Sequence, residues 1–184
     1  MKHLLLLVLT LLMLQGSLHA QALSGSTPTL NQNLWKADIL APGLVYERRV
    51  APSLSVAVNP SLGIGYAYAG SLGSSWVVQP TLDLQLRRYY NLERRAEKGK
   101  VVDGNSGSFF ALSVFGATRS LTDTEAFGSE YHFGVGPLWG FQRTYKNNFN
   151  VSLQLGGVYS RNTSGEQGVL PQINLGLGFV LKKD

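Results

Sequence analysis

The chain has 184 residues, no cysteine, 21 glycines and a net charge of +5, yet only 15% of its residues are charged. A soluble domain averages about 25% charged, so the chain is poor in the residues that normally face water. The lack of cysteine excludes a disulfide-stapled secreted domain and any thiolate metal site.

In chain order, Lys2 and His3 precede an apolar run from Leu4 to Leu14, followed by Gln15-Gly16-Ser17 and Ala20-Gln21-Ala22. A positive start, an apolar stretch and a small-residue site predict a secretory signal peptide over residues 1–22, cut after Ala20 or Ala22. A membrane anchor is the weaker alternative, because a spanning helix needs about 20 apolar residues. No later stretch meets that length either. Residues 23–32 read as a flexible polar leader, and 33–184 as one domain.

That domain alternates with period two. From Leu54 to Tyr68 one face carries Leu54, Val56, Val58, Pro60, Leu62, Ile64, Tyr66 and Tyr68, and the other Ser55, Ala57, Asn59, Ser61, Gly63, Gly65 and Ala67. The same pattern runs over Val78–Leu86, Phe149–Tyr159 and Ile173–Leu181, and less cleanly over Leu44–Val50, Phe109–Thr118 and Tyr131–Arg143. Strict alternation predicts strands. Pro60, Pro80 and Pro137 fall inside these runs, where proline normally marks an edge or a bulge. Asn91–Lys100 contains helix formers and predicts a helical turn.

Alternation does not say which face is wet. A soluble lipocalin-like barrel would turn the apolar face inward, but its exterior would carry interspersed charges. Here Asp83 is the only charged residue between Val50 and Leu86, and Tyr131–Gln142, Phe149–Ser160 and Gln167–Leu181 have none. A face of Gly, Ser, Ala, Asn and Gln suits a narrow lumen, with the Leu/Val/Tyr face toward lipid. Only a closed sheet can carry strands through hydrocarbon, because every backbone polar group must be paired.

The last strand resembles the C-terminal assembly signal of outer-membrane barrels through Asn174, Gly176, Phe179 and Leu181, though it continues into Lys182-Lys183-Asp184 where a terminal aromatic is usual. The resemblance implies recognition by the barrel-assembly machinery and a periplasmic C-terminus. Alternating strand ends from there gathers Arg48, Arg49, Arg87, Arg88, Arg94, Arg95, Lys98, Lys100, Arg143, Lys146, Lys182 and Lys183 on the periplasmic rim, with Lys36, Arg119 and Arg161 elsewhere. The clear strands number seven, whereas bacterial barrels have an even number. Asn33–Leu40 supplies the eighth, with Ala41-Pro42-Gly43 as a turn. The expected fold is an all-β, eight-stranded antiparallel transmembrane barrel in up-and-down order.

Gly43-Leu44-Val45-Tyr46-Glu47-Arg48-Arg49, Ser53-Leu54-Ser55-Val56, Gln79-Pro80 leading to Arg87-Arg88-Tyr89-Tyr90, and the Gly-rich closing strand together resemble a family of small outer-membrane β-barrel proteins. That family is similar to the OmpA transmembrane domain and mostly of unassigned function. The resemblance implies a fold and a bacterial outer-membrane location, not an activity.

Catalytic candidates are few. Lipid A deacylases and acyltransferases among small barrels use His with Ser and an acid, and His132 stands near Ser129 and Glu130. Neighbours on a strand face opposite ways, so Glu130 and His132 can share a face that Ser129 cannot, and the deacylase His-x-Ser arrangement is absent. A lone His with scattered carboxylates has no metal-ligand spacing, and no cofactor motif is present. Eight strands leave an interior that side chains fill. Glu47, Asp83 and Arg87 fall on its inward face and read as a charge network closing the barrel, with Glu47 meeting Arg87 across the lumen. A gated proton or ion path is the alternative. The expected role is structural or ligand-binding, in a monomer that contacts outer-membrane lipid, with extracellular loops open to an unidentified ligand and no nucleic-acid partner. A lipid-A-modifying or lipid-handling barrel is the runner-up.

Overall fold

The structure, a computed structural model, describes residues 28–68, 74–122 and 130–184. The expected signal peptide, the first part of the leader, Ser129 and the loop tips at 69–73 and 123–129 lie outside the described residues. The remainder is eight strands and one short helix: β1 (Asn33–Asp38), β2 (Gly43–Ala51), β3 (Leu54–Tyr68), β4 (Ser74–Tyr89), α1 (Leu92–Glu97), β5 (Gly107–Ala117), β6 (His132–Thr144), β7 (Phe149–Asn162) and β8 (Gln167–Lys183). Each strand pairs antiparallel with the next, and β8 returns to β1 to close a ring. No helix among the described residues is long and apolar enough to cross a membrane.

The alternation sorts side chains as the pleat requires. On β4, Asp83, Gln85 and Arg87 are buried inside while Leu82, Leu84 and Leu86 stand exposed outside. On β5, Phe110, Leu112 and Val114 point out and Phe109, Ala111 and Ser113 point in. The exterior is therefore apolar and the interior mainly polar. Large inward side chains sit opposite glycines on the next strand: Phe109 faces Gly140, Phe115 faces Gly134 and Leu138 faces Gly156. At each of these glycines an added Cβ would collide with the facing side chain. Pairing large with small lets a narrow barrel fill without strain. This is why β5 and β6 alternate less cleanly in sequence: their inward face mixes bulky apolar residues with glycine.

Pro80 and Pro171 sit where a ladder ends, and Pro60 and Pro137 where the pairing with β2 and β7 is interrupted. The Pro80 carbonyl accepts from Thr118 N–H, just beyond the last β4–β5 pair, Thr81–Ala117. On β8, the Leu177 carbonyl accepts from Ile39 N–H. Pro171, an even number of residues earlier, turns its ring nitrogen to the same side, where β1 no longer runs. Proline lacks an N–H and is tolerated at such edges and interruptions of the ladder.

The β1–β2 hairpin is shorter than the rest of the wall. Its pairing stops at Gly43–Ser61 on one side and Asp38–Gly178 on the other, while β3 continues to Tyr68 and β8 starts at Gln167. A notch is left above residues 39–42, between the edges of β3 and β8. Beside it Ile173 is 71% exposed, against 43% for Leu84 in the closed wall.

Two expectations change. The first strand ends at Asp38, not Leu40, and it carries Lys36 into the lumen rather than away from the cation group. Residues 28–32 of the expected flexible leader are fastened to the barrel. Leu30 is buried and its N–H donates to Pro52 O, while Arg49 donates to Gln32 Oε1 through Nε and Nη2.

Candidate functional site

The densest chemistry lies in the lumen near the end that carries α1. Glu47 on β2 and Arg87 on β4 are separated by β3, whose inward residues there are Ser55 and Ala57. Those small side chains leave the space through which Arg87 Nη1 donates to Glu47 Oε2 at 3.0 Å, with both side chains essentially inaccessible to solvent. The contact passes over β3 rather than across the lumen. Glu47 is fully occupied: Oε1 accepts from Ser55 Oγ at 2.6 Å and Tyr89 Oη at 2.8 Å, and Oε2 also accepts from Gln142 Nε2 at 3.4 Å. A buried carboxylate is tolerated only with such bonding.

From this pair the network crosses the barrel. Arg87 Nε donates to Gln85 Oε1 at 2.7 Å, and Gln85 Nε2 donates to Asp83 Oδ2 at 2.6 Å and to Gln154 Oε1 at 2.8 Å on β7. Ser113 Oγ donates to Asp83 Oδ1 at 2.7 Å. From β1, Lys36 Nζ donates to Gln142 Oε1 at 2.7 Å on β6. Two cations, Lys36 and Arg87, thus balance two carboxylates, Glu47 and Asp83, and seven of the eight strands contribute. Arg87 also lies 5.0 Å from the Phe109 ring centroid. At the level of this network β8 supplies no polar side chain. Its inward Gly176 and Gly178 lie against Ser152, Ala37 and Asp38, where a Cβ would not fit.

The α1 end is then closed by residues 101–106. Gln142 Nε2 donates to Asn105 O at 3.0 Å, Thr144 N–H to Ser106 Oγ at 2.8 Å, and Thr144 Oγ1 to Gly104 O at 3.1 Å. Gly104 and Asn105 both take positive φ, 60° and 54°, which turns the chain back under the barrel. Glycine adopts that conformation freely and asparagine tolerates it. Asn31 clamps the loop: its N–H donates to Asn105 Oδ1 and its Oδ1 accepts from Gly104 N–H. Lys183 pairs with Asp103 outside. Burial would raise the Asp103 carboxyl, but Lys183, the Gly104 N–H and the Asn31 amide outweigh it and hold the group below the usual carboxylate range.

Of the residues singled out in the sequence, Glu47 and Arg87 are in direct contact and Asp83 joins them through Gln85. Lys36, Tyr89, Gln142 and Gln154 belong to the same network. Lys36 shares parity with the buried Leu34 across an exposed Trp35. Asn174 faces inward, half-buried, and Phe179 and Leu181 face outward, with Phe179 against Phe149 at 5.6 Å. Glu130 is held by the hydroxyls of Ser164 and Thr163, which keep it below its ordinary range, while His132 opens β6. Among the described residues no group of three or more His, Cys, Asp or Glu side chains could hold a metal. Both Glu47 oxygens and both Asp83 oxygens accept internal hydrogen bonds.

Comparison with protein-family models, with curated proteins and with solved structures finds no match to this chain.

Proposed function

We propose that this chain is a transmembrane β-barrel of a bacterial outer membrane, with a structural or ligand-holding role, and that its lumen network is the barrel's core rather than a catalytic centre or conduit. The observation that carries this reading is the inversion of faces: leucine, valine and aromatic side chains cover the outside while the charges are paired within. Water would meet a large apolar exterior, which soluble monomers avoid. Hydrocarbon meets it at no cost, and a closed ring leaves few backbone groups unpaired. The α1 end faces the periplasm in this reading, because it carries the C-terminus and most of the rim cations. Membrane fractionation with gels run before and after boiling tests it. The mature chain is expected in the outer-membrane fraction with faster migration when unboiled; a soluble periplasmic species would overturn the reading in favour of a soluble barrel. In planar bilayers the wild-type protein is expected to pass no steady current, and a stable unitary conductance would favour a channel.

The notch supports a second reading, a lipid-handling barrel. It lies at the end away from α1, so a membrane would place it in the outer leaflet, where it opens the uncharged upper lumen sideways. Crosslinking from a photoreactive residue at Gln172 tests this: labelled lipid is expected under the lipid-handling reading, and none if the notch is sealed.

A further inference from the structure

Outside the barrel, where β4 leads into α1, lies a cavity of about 360 Å³ walled by Arg94, Arg95, Lys98, Lys100 and Arg143, with Tyr90 at its edge. No carboxylate lines it, and Glu93 and Glu97 of α1 are not part of its wall. Five cations around one cavity repel one another unless an anion sits among them.

Two of the five are fixed in place. Arg143 donates from Nη1 to Gly107 O at 2.6 Å and to Gln142 O at 2.7 Å, and lies 5.3 Å from the Phe141 ring centroid. Arg95 Nη2 donates to Val101 O at 2.7 Å, while its Nε is buried with no hydrogen-bond partner. A buried guanidinium N–H without an acceptor is a costly omission, and Arg95 is one of the residues that line the cavity. Arg94, Lys98 and Lys100 are exposed and make no ion pair among the described residues.

The side of the cavity toward the strands is aromatic. Tyr90 stacks on Phe110 at 5.3 Å and its hydroxyl accepts from Trp139 Nε1 at 2.9 Å, and Trp139 meets Phe141 edge-on at 6.2 Å. This row spans β4, β5 and β6 on the apolar exterior. Aromatic side chains of this kind gather at the level of lipid headgroups. Cations stand on the water side of the row and apolar strand faces on the other.

We infer that this cavity binds the phosphate of an anionic phospholipid headgroup, with Arg95 and Arg143 as the fixed donors and Arg94, Lys98 and Lys100 closing over the anion. The aromatic row selects a lipid over a free phosphate ion, because it offers a shelf for the acyl chains that inorganic phosphate cannot use. The inference rests on the membrane reading above.

The test uses the full mature chain and separates the two claims. Flotation with phosphatidylcholine vesicles reads membrane insertion alone; a chain that stays at the bottom overturns both the membrane reading and the lipid site. For inserted protein, native mass spectrometry from mixed phosphatidylglycerol and phosphatidylcholine nanodiscs reads the site. The wild type is expected to retain phosphatidylglycerol selectively, and Arg94→Gln/Lys98→Gln/Lys100→Gln to lower that retention at least about tenfold, because basic residues near a membrane surface attract anionic lipid. The charge-matched Arg48→Gln/Lys146→Gln/Lys182→Gln is expected to leave it unchanged. Equal loss in both triple variants, or no lipid preference in the wild type, overturns the site while leaving the membrane reading intact. Displacement of the bound lipid by millimolar inorganic phosphate would overturn the lipid source in favour of a plain phosphate-ion site.

Discussion

The two halves of the lumen are built differently from the same period-two pattern. Near α1 the interior carries four charges, each with a named partner, and a loop folded beneath them. Toward the other end the inward residues are uncharged, among them Gln79, Gln172 and Asn174, and the β1–β2 hairpin stops short of them. There the side-chain oxygen of Gln172 is buried without a partner, whereas both oxygens of Glu47 and of Asp83 are bonded. A wall of eight strands requires the closed half to satisfy its charges internally, although Asn105 Nδ2 and Asn150 Oδ1 there have no partner. A wall with two strands missing leaves its polar groups open to other partners.

The largest effect is expected in the closed half. Glu47→Gln leaves Arg87 and Lys36 facing one carboxylate instead of two, and breaking a buried pair costs about 3–5 kcal/mol. Arg87→Gln is expected to cost about as much, with the double variant recovering part of the loss. Urea unfolding in lipid vesicles measures the cycle, and simple additivity would show that the pair is not coupled. Next in size is Leu84→Arg on the exterior, which places a cation at mid-strand and is expected to lower folding into vesicles by about 2–4 kcal/mol. Gln172→Arg, on the inward face beside the notch, is expected to be tolerated far better. Equal tolerance would mean that the exterior does not meet lipid.

Much of this was legible from residue parity. Glu47 and Arg87 point inward because they alternate with Tyr46, Arg48, Leu86 and Arg88, and β3 and β7 alternate almost without interruption. Parity does not show what lies between two inward residues, so the path of the Glu47–Arg87 contact over Ser55 needed the register. Lys36 escaped because β1 is only six residues long, too few for alternation to outweigh the nearby Pro42-Gly43 turn signal. The closing loop was invisible for another reason. Val101-Val102-Asp103-Gly104-Asn105-Ser106 reads as an ordinary turn, and its role depends on Asn31 and Gln142, far away in sequence. Arg87 counted equally well as a rim cation, since charge and position alone do not distinguish a buried guanidinium from a solvated one.

The smallest expected effects give the sharpest comparison, because one substitution can be made in both halves. Gln142→Leu removes the acceptor of Lys36 Nζ and the donor to Asn105 O, and leaves a buried ammonium without its hydrogen-bond partner. Leaving a buried charged group unsatisfied costs about 1–3 kcal/mol or more. Gln172→Leu deletes an amide whose buried oxygen has no partner. No hydrogen bond to that oxygen is lost, and the cost of keeping it from water disappears, so the change is expected to stay within about 0.5 kcal/mol or to stabilise slightly. Both variants can be unfolded in the same vesicles and compared directly. A Gln172→Leu loss as large as that of Gln142→Leu would mean that the upper amides are bonded in the working protein. The difference between the two halves would then lie in what fills the notch, and not in the barrel wall.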